Sequence, residues 1–175
     1  MATRGQKACI IIDHLVEALA SDPSSNLRRA MILNMIDESP GITQTEIMHK
    51  IDITKSAMNR EIDWLFNYGC IIRQNAENDG RAIRLETCGY SKRALESALD
   101  YIPNGHKGLH FILELYIKVL KQERPTLRDA RIISTLYDKG NTTKSNVMDS
   151  LYNGPMTTDN RALRKLIDDK VITDE

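Results

Sequence analysis

The sequence predicts a mostly helical α+β fold in which two helix-turn-helix units lie in tandem, and three observations predict it. The 175-residue chain is 41% hydrophobic but only 5% aromatic, so its core must be built from aliphatic side chains, as in packed helices. Apolar residues recur at helical spacing in most of the segments that Pro and Gly mark off. About half of the pattern over residues 26–71 also returns a hundred residues later, over 126–172.

Residues 6–20 read as an amphipathic helix, with Ile11, Ile12, Leu15, Val16 and Leu19 on one side. Asp22-Pro-Ser-Ser breaks it. A second helix runs from Leu27 to Asp37 and stops at Ser39-Pro-Gly. Thr43 then caps a short helix that reaches Ile51, and Thr54 caps another that ends near Asn67, at Tyr68-Gly69. Two short helices joined by a tight turn present the second one to a DNA major groove. Residues 70–74 and 81–86 read as strands, and Asn78-Asp79-Gly80 between them has the chemistry of a hairpin turn. In the returning strand Ile83 and Leu85 are expected to face inward, with Arg84 and Glu86 facing out. A hairpin in this place is the wing of a winged helix.

Beyond the hairpin, Tyr90 to Ile102 is helical in pattern and Pro103-Asn-Gly105 breaks the chain. Leu109 to Gln122 is strongly apolar, with Leu109, Ile112, Leu113, Tyr116, Ile117 and Leu120 on one broad stripe. Such a stripe needs a partner surface, either the core of a second unit or another chain. The expected division is a winged-helix domain at 1–105 and a second helix-turn-helix, or partial winged helix, at 106–175.

The repeat supports that second unit. Asn26-Leu-Arg-Arg-Ala matches Thr126-Leu-Arg-Asp-Ala, and Thr43-Gln-Thr-Glu-Ile matches Thr143-Lys-Ser-Asn-Val. With one inserted residue, Asn59-Arg60 falls on Asn160-Arg161, Leu65 on Leu166 and Ile71 on Ile172. Each match is weak, but all occur in one order. The strand-like Val171-Ile-Thr173 is not followed by a second strand in this sequence, so the second copy lacks a complete wing. The predicted fold is therefore a tandem winged helix-turn-helix with an incomplete second copy.

Charge and cysteine usage narrow the function. Lys+Arg and Asp+Glu are equal at 24 each, which excludes a histone-like coat and leaves DNA binding to a local basic face. Cys9, Cys70 and Cys88 form no C-x-x-C pair, so neither a disulfide framework nor a zinc site is indicated. The apolar run from Ala8 to Ile12 is too short to span a membrane, and the cytoplasm is the expected compartment. A Gly-rich phosphate loop, a nucleophile elbow and a carboxylate pair are all missing, so an enzyme is the weakest class and no cofactor is expected. His106 and His110 are spaced i, i+4. The break at Pro103-Asn-Gly105 is expected to keep His106 out of a helix and so to spoil a metal face.

The candidate DNA contacts follow from chemistry and position. Lys55, Ser56, Asn59, Arg60 and Asp63 lie on the outward side of the recognition helix, opposite Ala57, Met58, Ile62 and Leu65. Asn and Arg suit adenine and guanine edges, whereas Ser and Lys near a helix N-terminus suit phosphate. Thr43, at the start of the preceding helix, joins this set. Arg81 at the tip of the wing would enter the minor groove, its guanidinium fixed by Asp79, with Arg73 and Arg84 as phosphate contacts. Asn160, Arg161 and Arg164 are the corresponding candidates in the second copy.

Four stretches resemble the MarR family of winged helices. They are Ile42-Thr-Gln-Thr-Glu-Ile, Lys55-Ser-Ala-Met-Asn-Arg, Leu65-Phe-Asn-Tyr-Gly-Cys-Ile-Ile-Arg73 and Asn78-Asp-Gly-Arg-Ala-Ile-Arg-Leu-Glu-Thr-Cys-Gly89. The resemblance covers residues 6–102. It implies a dimeric transcriptional regulator, often a repressor released by a small ligand, although no residue pattern here indicates an effector. Arg81 matches the family's wing arginine, and Gly80 replaces the first arginine of the family's pair. Some members carry a reactive cysteine in the first helix. Only Lys7 lies near Cys9 in sequence, so an inert thiol is expected.

The expected function is sequence-specific binding of double-stranded DNA in transcription regulation. A plasmid or phage replication or partition protein, and a winged-helix module that binds protein, are the alternatives. The apolar stripes on 6–20 and 109–122 exceed the needs of one small winged helix and are expected to join two chains in a two-fold homodimer. The competing outcome is a single-chain pseudo-dimer, with the second helix-turn-helix covering those stripes within one chain.

Overall fold

The computed structural model describes residues 1–76, 79–152 and 156–173, leaving out the side chains of 76 and 79–81. The hairpin turn predicted at Asn78-Asp79-Gly80 and the Asp79–Arg81 pair lie outside the described residues and side chains.

Six of the described helices begin where a capping side chain accepts from a free backbone amide. Thr3 caps α1 (Arg4–Ala18) in a capping box with Gln6, and Asn26 caps α2 (Leu27–Glu38) by accepting from the Arg29 amide at 2.8 Å. β1 (Ile42–Thr43) leads directly into α3 (Gln44–Lys50), capped by Thr43 in a box with Glu46. Thr54 caps α4 (Lys55–Asn67). Gly69, at φ +70°, turns the chain out of α4 and into β2 (Ile71–Ala76). β3 (Asp79–Thr87) returns antiparallel to β2, and β1 pairs along its other edge, giving the sheet order β1-β3-β2. In the register Ile42 faces Leu85 and Arg73 faces Leu85 from the other side.

α5 (Gly89–Leu99) and α6 (Gly105–Leu120) follow, then α7 (Leu127–Lys139), α8 (Lys144–Met148) and α9 (Met156–Asp168). Thr126 caps α7 in a box with Asp129, and Thr143 caps α8. His106 lies in the first turn of α6, not in a break before it, because the bend at Pro103–Asn104 is tighter than the sequence suggests. It bonds to Asn34 at 2.8 Å and sits 3.5 Å from Asp37, which ties α6 to α2. Among the described residues no three-residue cluster could hold a metal, and no helix is long and apolar enough to cross a membrane. Val171–Thr173 form a bend where a strand was expected; among the described residues there is no neighbouring strand to receive them.

The first helix of each set packs on the other set. α1 lies between α5 and α7, and α6 lies across α2. Gly5 allows the close approach of α1, since a β-carbon there would sit 2.5 Å from the Cα of Asp138. Arg131 Nε and the Tyr152 hydroxyl both donate to Asp13 at 2.8 Å, so α1 is fixed by polar as well as apolar contacts. Ile11, Ile12, Leu15, Val16 and Leu19 are all buried, and the expected intermolecular surface on α1 is therefore covered within the chain. On α6, Leu109, Leu113 and Leu120 are buried while Phe111, Leu115 and Val119 stay exposed on the outer side. One apolar core runs from α1 through to α9.

Where the two sets meet, a pair of backbone hydrogen bonds repeats itself with the halves exchanged. The Leu27 amide donates to Pro125 O at 2.9 Å, and the Leu127 amide donates to Ser25 O at 2.9 Å. The bridge pairs the two N-cap residues, Asn26 and Thr126. Beside it lies the buried carboxylate of Glu61, on the inner side of α4. It accepts from Arg29 Nε at 2.7 Å, Asn26 Nδ2 at 3.1 Å and Arg124 at 3.2 Å. The guanidinium of Arg29 also stacks over Trp64, 3.8 Å from the ring centroid. In the second set Arg128 and Asp159, both buried, lie 2.8 Å apart but out of hydrogen-bond alignment.

Removing one member of a buried ion pair strands the other without water. Glu61→Ala is expected to lower stability by about 3–5 kcal/mol through the uncompensated Arg29 charge. Urea unfolding followed by circular dichroism measures it, and a loss below about 1 kcal/mol would show that the network contributes little.

Candidate nucleic-acid interface

The local fold of α3, α4 and the hairpin decides which side chains are free to meet a ligand. Ile47 of α3 and Met58, Ile62 and Leu65 of α4 are fully buried or nearly so, which fixes both helices on α2 and the sheet. That rotation places Lys55, Ser56, Asn59, Arg60 and Asp63 on the exposed side of α4, as the helical periodicity predicts. Glu61 faces inward instead. A carboxylate between apolar positions 58 and 62 gave no sequence signal, because its partners Asn26 and Arg29 lie more than thirty residues away.

A groove of about 670 Å³ runs between this side of α4, the start of α3 and the hairpin. Thr43, Gln44, Met48, Lys55, Asn59 and Ile83 are among its lining residues. Gln44 Nε2 donates to Asn59 Oδ1, which sets the amide of Asn59 so that its Nδ2 is directed elsewhere. Ile83 was expected in the core, but it is 48% exposed. It shares a side of β3 with buried Leu85, yet no helix covers the strand that far out, and it forms the apolar wall of the groove instead.

Thr43 is committed to its capping box, so its hydroxyl serves α3 first. The Thr43 amide and hydroxyl hold the Glu46 carboxyl below the usual carboxylate range. Arg84 is exposed and donates to Gly41 O at 3.1 Å. With His49 and Lys50 it borders a second hollow of about 480 Å³ on the outer side of α3. Arg73 is held by the carboxylate of Asp63 and lies over the ring of Phe66, 4.6 Å from its centroid, so it braces β2 against α4. The side chain of Arg81, placed by the sequence at the wing tip, is outside the description.

The remaining candidates stand apart from this groove, on α9. Arg161 and Arg164 are exposed there, while Asn160 is half-buried and donates to Met156 O at 2.9 Å. Cys9 has a neighbour that the sequence did not reveal, Arg131, whose guanidinium approaches its sulfur at 3.1 Å. Burial nonetheless pushes the thiol above its ordinary pKa, so it stays protonated.

Residues 26–83, from the cap of α2 into β3, match the family model of the MarR family, and this segment is a MarR-like winged helix. MarR proteins are DNA-binding transcriptional regulators. Comparison with curated proteins and with solved structures returns no match.

The first turn of α4 rests on its cap. Thr54→Ala removes the acceptor for the Ala57 amide and is expected to cost about 1 kcal/mol. A shift in the urea midpoint without a change in slope would register it; an unchanged midpoint would mean that water replaces the cap at no cost.

Proposed function

We propose that the protein binds a specific site on duplex DNA and regulates transcription, with α4 entering the major groove and the β2–β3 hairpin lying along the flanking backbone. The observation that carries this reading is the groove between α4 and the hairpin. Its α4 wall offers Lys55 and Asn59, with Ser56 and Arg60 exposed beside them. Arg60 and Asn59 are the base-reading candidates, and Lys55 and Ser56 at the helix start are suited to phosphate. Arg84 and Arg81 extend the same contact toward the backbone and the minor groove. Arg73, engaged by Asp63, positions the wing in this reading.

A neutral chain supports binding of this kind only through such a local face, so affinity is expected to depend on a few contacts. Arg60→Ala should weaken binding to a site selected from random duplexes by about 1–3 kcal/mol and relax its sequence preference. Lys55→Ala should weaken all duplexes alike and reduce the salt slope by about one counterion. Titration by fluorescence anisotropy at several salt concentrations separates the two effects. Affinity and preference unchanged in Arg60→Ala would rule out this side of α4.

A further inference from the structure

The second helical set repeats the first at several of the positions that it buries. Leu27, Ala30 and Ile32 of α2 correspond to Leu127, Ala130 and Ile132 of α7, and all six are buried. Ile47 of α3 corresponds to buried Val147 of α8. Met58, Ile62 and Leu65 of α4 correspond to Asp159, Leu163 and Leu166 of α9, again all buried. Both α4 and α9 have 13 residues. α4 is tied to α2 by the buried pair Arg29–Glu61 and α9 to α7 by the buried pair Arg128–Asp159, the same kind of tie made from non-equivalent positions.

The paired bonds at 25–27 and 125–127 join the sets about a local two-fold axis. The bond from Leu27 to Pro125 becomes the bond from Leu127 to Ser25 when the halves are exchanged. The crossed packing of α1 on α7 and of α6 on α2 obeys the same exchange. From this symmetry and from the surface of α9 we infer that α9 is a second DNA-reading helix, so that one chain contacts two DNA half-sites. The inference rests on the reading of α4 given above.

The surface of α9 fits that role. Thr157, Arg161, Arg164 and Lys165 are exposed, standing where α4 carries Ser56, Arg60, Asp63 and Trp64. Asp159, in the first turn of α9, is turned inward onto Arg128, and the other carboxylate of the helix, Asp168, stands at its last residue. At the position where α4 has Asp63 to hold the wing's Arg73, α9 has Arg164. Among the described residues no hairpin follows α9, and a cation stands at this position instead of a wing-holding carboxylate.

The test uses the full chain with duplexes it selects from a random pool. Light scattering should give a mass near 19.9 kDa for the free protein. The complex should hold one chain while nuclease protection covers two half-sites. The double variant Arg161→Ala/Arg164→Ala, which alters only exposed positions, should keep its circular dichroism and lose at least about tenfold in affinity. Its protection should shrink to one half-site, and Arg60→Ala should weaken the other. Binding and protection unchanged in the α9 variant would overturn the inference while leaving the reading of α4 intact. Two chains per complex, with both half-sites depending on Arg60 alone, would overturn it in favour of a homodimer. A wild-type chain that selects no duplex would overturn both readings.

Discussion

A carboxylate taken out of water has to find donors, and Glu61 finds them in three different parts of the chain. Arg29 comes from the middle of the first turns of α2, Asn26 from its cap, and Arg124 from the segment leading into α7. The first two fix the angle between α2 and α4 inside the winged helix. The third reaches across to the other helical set. Because Asn26 also takes part in the bridge to Thr126, the helix that faces outward at Lys55 and Arg60 is attached on its inner side to the junction of the two sets. The cost of burying the charge is offset only while all three elements stay in place.

That arrangement gives the surface of α4 a rigid base. Buried Met58, Ile62 and Leu65 set its rotation, Trp64 is pinned under Arg29, and the Arg73–Asp63 contact holds the hairpin at a fixed distance from the helix. The side chains left for a ligand are those that none of these contacts uses. A site of this type depends on supporting residues as much as on the residues that touch the ligand.

Much of this was legible in the sequence, because it is local. Thr43 and Thr54 each announce a helix start by their own chemistry, and the exposed side of α4 follows from a period of 3.6. The misread positions share a different cause. Ile83 alternates correctly with Arg84, but alternation cannot say where the covering helices end. Glu61 carries no signal of burial because its partners are distant in sequence. The stripe on α1 looked like an interface because the helix that covers it begins at Leu127. The contact of Arg131 with Cys9 was hidden for the same reason. Periodicity reports that a face is apolar and is silent on what meets it.

The crossed packing of α1 also has a consequence for how the chain is made. On the ribosome α1 emerges before its partners, α5 following some seventy residues later and α7 more than a hundred residues later. At synthesis rates of about 5–20 residues per second, its apolar side waits roughly 5–20 s for the last of its cover. Contacts this distant in sequence also slow folding of the finished chain, since the intervening loop must close before they form. Asp13, at the edge of the apolar side of α1, borders that surface during the wait. It is later paired with the Arg131 guanidinium and receives a hydrogen bond from the Tyr152 hydroxyl, both from residues made more than a hundred positions later.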